Sequence, residues 1–171
     1  MSSNVIFISG GATGIGRVIA RRFLTAGSTV HIADVDPHAV EQFIAEHPGT
    51  SGTVCDVGDV AQVNRAFDEL QALHGRLDVL VNAAGNTERC GLDDTTPEAF
   101  ERLFGVNVRA PMFMMQAAVK LMRPAKSGVI INVSSMLSHG GPPNLITYSA
   151  PKAALCTSTK GAANAVKREG I

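Results

Sequence analysis

Short apolar runs alternate with longer stretches of helical periodicity along the whole chain. The runs are "NVIFIS" (4–9), "TVHIA" (29–33), "GTVC" (52–55), "LDVLVN" (77–82) and "GVIINVS" (128–134). They are continuous rather than alternating in and out, as parallel strands covered on both faces require. The stretches between them read as helices. "GIGRVIARRFLTAG" spaces Ile15, Ile19 and Phe23 at i, i+4 and i+8 and stops at Gly27. "HAVEQFIAEHPG" ends at Pro48-Gly49, and "VAQVNRAFDELQALHG" begins after Asp59 as N-cap and stops at Gly75. "TPEAFERLFGVNV" and "PMFMMQAAVKLMRP" make one long or broken helix, and "YSAPKAALCTSTKGAANAVKREG" is the last. For that last helix the pattern predicts a start near Asn144 as N-cap, with Pro151 inside it forgoing one hydrogen bond. Five β–α alternations with right-handed crossovers predict a doubly wound parallel sheet, Rossmann-like, in a three-layer α/β/α domain spanning 1–171.

Composition narrows the classes of function. Hydrophobic residues make up 45% of 171 residues, which excludes a disordered chain. Lys plus Arg equals Asp plus Glu at 15 each, so the basic excess of a nucleic-acid binder is absent. Cys55, Cys90 and Cys156 are odd in number and widely spaced, which fits a reducing cytoplasm better than a disulfide framework or a thiolate metal site. The five histidines are scattered, so no metal is expected. No stretch approaches the roughly 20 apolar residues of a membrane span, and "NVIFIS" is too short for a signal sequence.

The first apolar run leads directly into "SGGATGIG", with Gly10, Gly14 and Gly16 opening a helix. Glycine lets a backbone turn sharply and approach a pyrophosphate without a Cβ in the way, and the helix N-terminus adds free N–H groups and a partial positive charge. Asp34 follows 18 residues after Gly16, at the end of the second run. A carboxylate there accepts both ribose hydroxyls of an adenosine and repels a 2′-phosphate. Thr13 in the turn supplies no base to welcome that phosphate, so NAD is expected rather than NADP.

With "GGATGIG", "CDV" at 55–57, "NAAG" at 82–85, "VNV" at 106–108, "INVSS" at 131–135 and "YSAPK" at 148–152, the chain resembles the short-chain dehydrogenase/reductase family over nearly all its length. The resemblance implies that Gly10, Thr13, Gly14, Ile15 and Gly16 line the pyrophosphate and that Asp56 and Val57 hold the adenine. It places Asn82, Ala83, Ala84 and Gly85 beside the adenosine ribose. The family often has a second asparagine where Ala83 stands, a departure expected to cost stability rather than catalysis. It assigns the chemistry to Asn107, Ser135, Tyr148 and Lys152, with Ser134 packing on the other side of the chain.

Tyr148 is the one tyrosine in the chain, and Lys152 lies one helical turn beyond it. A phenol with an ordinary pKa of about 10 is a poor base near neutrality. An ammonium on the same helical face stabilises the phenolate, and in a bound complex it also grips the nicotinamide ribose. Ser135 would donate to the substrate oxygen, and Asn107 would bend its helix and link through water to Lys152. These roles describe an oxidoreductase interconverting a secondary alcohol and a ketone. The alternatives are a non-catalytic NAD-binding module and an NAD-dependent epimerase or dehydratase.

Asn86, Thr87, Leu137, His139 and Asn144 are candidates for the substrate wall. Helices around 111–122 and 152–168 pair in family oligomers, so a homodimer or homotetramer is expected. Family chains continue through two further strands that supply much of the substrate pocket. On that ground "GVIINV" is expected at a sheet edge, these residues are expected to be a fragment, and weak NAD binding without turnover is expected of them alone.

Overall fold

Ile6, Phe7 and Ile8 have no exposed surface. The strand that carries them runs through the middle of a five-stranded sheet in the computed structural model, which describes residues 3–171. The strands are β1 (Val5–Ser9), β2 (Thr29–Asp34), β3 (Ser51–Val54), β4 (Val79–Asn82) and β5 (Val129–Asn132), in the spatial order β3-β2-β1-β4-β5. Every neighbouring pair is parallel, with Phe7 opposite His31 on one side and Leu80 on the other. Parallel strands need long crossovers, and α1 (Gly14–Thr25), α2 (Pro37–Glu46), α3 (Val60–His74), α4 (Pro97–Phe104) and α5 (Ala110–Met122) supply them, with α6 (Ile146–Val166) following β5.

The alternation of side chains along β1 divides the interior in two. Ile6 and Ile8 pack with Ala20 of α1 and with Val40 and Phe43 of α2. Val5 and Phe7 pack with Phe67 and Leu70 of α3 and with Met114 and Ala118 of α5. Asp59 caps α3 by accepting from Ala61 N–H, and Gly75 ends it in the left-handed conformation at φ 69°, as the pattern predicts. Among the described residues no helix is long and apolar enough to cross a membrane.

Three expectations need correction. Ile15 does not belong to the buried stripe of α1. It is 64% exposed at the helix start, and Gly16 and Ala20 are the residues α1 buries. The reason is close approach: a Cβ on Gly16 would stand 2.1 Å from Gly10 O. Asn144 does not cap α6, which begins at Ile146 with Leu145 at the cap position and no side-chain cap bond. Leu145 O accepts from both Tyr148 N–H and Ser149 N–H and closes the first turn without it. Pro151 then falls inside the helix and withholds one N–H, as expected. The outer strands are not covered on both faces, because topology sets them at the edges: Val129 and Ile131 of β5 are 52% and 43% exposed. The stretch expected as one long or broken helix is continuous: α4 and α5 run on without a break through a π-helical turn, Gly105–Arg109, closed by the bond from Ala110 N–H to Gly105 O. Pro111 has no N–H to return to Asn107 O, which favours the wider turn there.

One polar chain crosses the interior. Asn82 Nδ2 donates to Asn132 Oδ1 at 2.7 Å, and Asn132 Nδ2 donates to Thr159 Oγ1 at 2.9 Å, so β4, β5 and α6 are tied together. Asn132→Leu leaves the Asn82 amide without its acceptor in a buried setting, an expected loss of about 1–3 kcal/mol, read as a lower urea midpoint at unchanged slope.

Candidate functional site

β1 ends at Ser9, and the next four residues turn the chain into the N-terminus of α1. Gly10 lies at φ 64°, where a Cβ would come within 2.8 Å of Ala84 Cα. Thr13 is the N-cap of α1, but its hydroxyl makes no capping bond. It donates instead to Asp34 Oδ2 at 3.3 Å, and the same oxygen accepts from Ala12 N–H at 3.1 Å. The first amides of α1 are therefore not satisfied by a side-chain cap and present their dipoles outward. Asp34 itself is the last residue of β2 and is 7% exposed. Its Oδ1 accepts from Asp36 N–H at 3.4 Å. All three of these partners are neutral donors.

A cleft of about 520 Å³ opens at the C-terminal ends of β1 to β4. Gly10, Thr13, Gly14, Ile15 and Gly16 line it from the glycine turn, Asp34 from β2, Asp56 and Val57 from beyond β3, and Ala83, Ala84 and Gly85 from beyond β4. Asn82 is not on the wall. It is 2% exposed and turned into the sheet toward Asn132. Five residues outside the expected nucleotide set also line the cleft: Val35, Cys55, Asn86, Arg102 and Val106. Val35 and Cys55 adjoin expected positions. Arg102 and Val106 stand four apart on one helical face, a spacing legible in the sequence once α4 is known to lean over the cleft. Asn86, expected on the substrate wall, is part of this cleft instead, because it follows Gly85 directly off β4. Thr87, His139 and Asn144 are exposed, Leu137 is half-buried, and none of the four lines the cleft.

A second group of side chains gathers beside Gly85. Lys152 is 5% exposed, and its Nζ donates to Val133 O at 3.0 Å. Burial holds its ammonium below the usual lysine range. The same Nζ stands 6.0 Å from the centre of the Tyr148 ring, one turn earlier on α6. Asn107, in the π turn, is fully buried, and its Nδ2 donates to Asn86 O, Asn86 Oδ1 and Leu103 O at 3.0, 3.1 and 2.9 Å. The amide orientation follows, since two of those acceptors are backbone carbonyls. Asn107 Oδ1 then has no partner among the described residues. A Cβ on Gly85 would lie 3.0 Å from that oxygen and 3.3 Å from Lys152 Nζ, so both polar atoms face one point at the cleft edge.

Ser135 caps a short 3₁₀ turn, Met136–His139, its Oγ accepting from Leu137 N–H at 3.2 Å. Ser134 turns the other way, donating to Lys152 O at 3.1 Å and lying 3.1 Å from Cys156 Sγ. The two serines thus differ as expected, one packed on α6 and one in the loop after β5. Tyr148 and Lys152 do not line the cleft itself; Lys152 approaches it at Gly85. Among the described residues no group of three or more His, Cys, Asp or Glu side chains could hold a metal ion.

The donor set suits a dinucleotide. Uncapped helix amides and a glycine turn too tight for a Cβ would take the pyrophosphate, and Asp34 and Asp56 would take the polar edges of an adenosine.

Comparison with known proteins agrees with that architecture. The family model described as short chain dehydrogenase matches residues 4–171. Galactitol 2-dehydrogenase of Agrobacterium fabrum is 35% identical across 100% of this chain and 68% of its own length. Sorbitol dehydrogenase of Cereibacter sphaeroides is 34% identical with the same coverage. The crystal structure of a short-chain dehydrogenase from Streptomyces avermitilis superposes with a TM-score of 0.96 at 32% identity, over 100% of this chain and 63% of that one. The chain thus spans about two thirds of the length of these relatives.

Proposed function

The chain belongs to the short-chain dehydrogenase family, and from that premise we propose that the protein is an NAD-dependent oxidoreductase that interconverts a secondary alcohol and a ketone. The observation that carries this reading is the meeting at Gly85 of a buried ammonium and an unpaired buried amide oxygen, at the edge of the cleft over the strand ends.

When bound, the nicotinamide supplies the acceptor or donor of the hydride. The residues of this chain do the remaining work. Tyr148 takes the alcohol proton in oxidation and returns it in reduction. Lys152, fixed by Val133 O, keeps its remaining N–H groups for the cofactor ribose and places positive charge near the phenol. Ser135, whose Oγ accepts from Leu137 N–H, keeps its own O–H to donate to the substrate oxygen. Asn107 Oδ1 and Lys152 Nζ are spaced for one bridging water, a path by which the proton reaches solvent. The similarity to galactitol and sorbitol dehydrogenases makes polyols the first substrates to try. Homo-oligomers are expected through α5 and α6, where Met112 is half exposed and Ala162 and Ala163 line a shallow apolar groove. The free thiols of Cys55, Cys90 and Cys156 suit a reducing cytoplasm.

Titration calorimetry with NAD and NADP tests the cofactor, and NADH absorbance in a panel of polyols tests the reaction of the natural protein. NAD should bind more tightly than NADP. Asp34→Asn removes the charge yet keeps an oxygen for Ala12 N–H, and should shift the preference toward NADP about tenfold, or about 1.4 kcal/mol. Tighter binding of NADP by the unaltered protein would overturn the assignment.

A further inference from the structure

The cleft has a charge problem that the glycine turn solves only in part. Among the described residues on its wall, Asp34 and Asp56 are acidic and Arg102 is the one base. A dinucleotide brings two more negative charges, whereas a helix end offers the equivalent of about half a positive one. Arg17, the cation of α1 nearest the turn, is committed elsewhere. Its Nη1 donates to Ala12 O at 3.2 Å, its Nη2 pairs with Glu46 at 2.5 Å, and its guanidinium lies over the Phe43 ring.

Arg102 is placed differently. It sits on α4, one turn before Val106, and both reach the cleft wall. Its Nη2 pairs with Glu88 and its Nη1 donates to Glu98 O at 3.5 Å, while its side chain keeps 49% of its surface exposed and that of Glu88 keeps 44%. An exposed pair of this kind is held only weakly. A phosphate offers the guanidinium fork a charge-assisted, two-point contact that outweighs it.

We propose that Arg102 is a second grip on the phosphates of the dinucleotide, held in reserve by Glu88 and released when phosphate displaces that carboxylate. This rests on the cleft holding a dinucleotide, as argued above, and adds to it a residue outside the glycine turn. Glu88 then acts as a competitor, so removing it strengthens nucleotide binding, the reverse of what a structural ion pair would show.

Calorimetric titration of the protein with NAD, ADP and adenosine tests this, using Arg102→Gln, Glu88→Gln and the double variant. Arg102→Gln should weaken NAD and ADP about tenfold or more, as loss of one charge-assisted hydrogen bond would, and leave adenosine unchanged. Glu88→Gln should tighten NAD and ADP about two- to fivefold, and should have no effect once Arg102 is already Gln. Undiminished ADP binding by Arg102→Gln, or weakening of ADP by Glu88→Gln, overturns the proposal. So does an Arg102→Gln effect confined to NADP, which would make the guanidinium a reader of the 2′-phosphate. If the unaltered protein binds neither NAD nor ADP, the dinucleotide reading itself falls.

Discussion

Tyr148→Phe should lower kcat by about 10²–10⁴-fold, the range that a positioned general acid–base group supplies. Binding of NAD should change by no more than one neutral hydrogen bond, about 0.5–1.5 kcal/mol. The substitution keeps the ring that packs in the first turns of α6 and removes only the hydroxyl, so a fold defect does not stand in for a chemical one. The size of the effect follows from what surrounds the phenol. Lys152 is nearly buried, anchored to Val133 O, and directed past the Tyr148 ring at 6.0 Å. Burial favours its neutral form, and the bond to Val133 O holds the ammonium in place. Lys152→Met, which removes the ammonium beside the Tyr148 ring, should also lower kcat. Stopped kinetics of Tyr148→Phe showing turnover within about twofold of the parent, well short of that acid–base range, would remove the tyrosine from the mechanism.

The second large effect concerns stability rather than turnover. Between pH 6.5 and 4 the protein should lose about 3 kcal/mol through His31. His31 is 1% exposed, in β2, and its pKa is lowered to about 4, first by burial and then by the neighbouring His74. The folded state takes up this proton only near pH 4, whereas the unfolded chain takes it up near 6.5. The contribution is whole above 6.5, declines through that window, and is gone below it.

The hydrogen bonds explain why the neutral ring is preferred. Thr53 donates to Glu69, so its oxygen accepts from His31 Nε2–H at 3.0 Å. His31 Nδ1 then accepts from the Ser51 hydroxyl at 2.8 Å, and Ser51 Oγ accepts from His74 Nε2–H at 3.0 Å. The chain from His74 to Glu69 is complete with no charge on His31. Phe7 stands edge-on at 5.2 Å, and a ring only 1% exposed keeps a charge there out of bulk solvent. Burial also lowers His74, which adds in the same direction. His31→Gln retains two hydrogen-bonding ends without a titrating group. Urea unfolding from pH 4 to 7 should show a slope of up to about one proton less in the variant; an unchanged slope would assign the acid sensitivity elsewhere.

Much of the architecture was legible in one dimension. The five apolar runs are the five strands, because a parallel sheet flanked by helices demands continuous hydrophobicity from its central members. The glycine turn was legible for a steric reason, since the Gly10–Gly16 approach admits no side chain. Asp34 was legible from its place after the second run, and Asp59 and Gly75 from their positions at the ends of a periodic stretch. Local rules decide each of these, and they act over a few residues.

Other features depend on which elements end up as neighbours, and no local rule reports that. Ile15 has the right spacing for the core, yet it is exposed because α1 meets the sheet through Gly16 and Ala20. Asn144 is a good cap residue left unused, since Leu145 O closes the first turn of α6. The position of Asn86 after "NAAG" suggests the substrate wall, but it lines the cleft, where the Asn107 amide donates to it. Arg102 joins the cleft only because α4 reaches its wall.

The sequence by itself determined the layered fold, the phosphate-ready turn and the types of side chain available for proton transfer. Those follow from backbone sterics and the periodicity of burial, which are written residue by residue. Only the tertiary structure decided that a lysine on α6 and an asparagine in a π turn, 45 positions apart, face one point beside Gly85. It likewise decided that two histidines on β2 and α3 share one hydrogen-bonded chain. Charges and hydrogen bonds act through space over a few ångströms, and the order of strands alone brings distant residues within that reach.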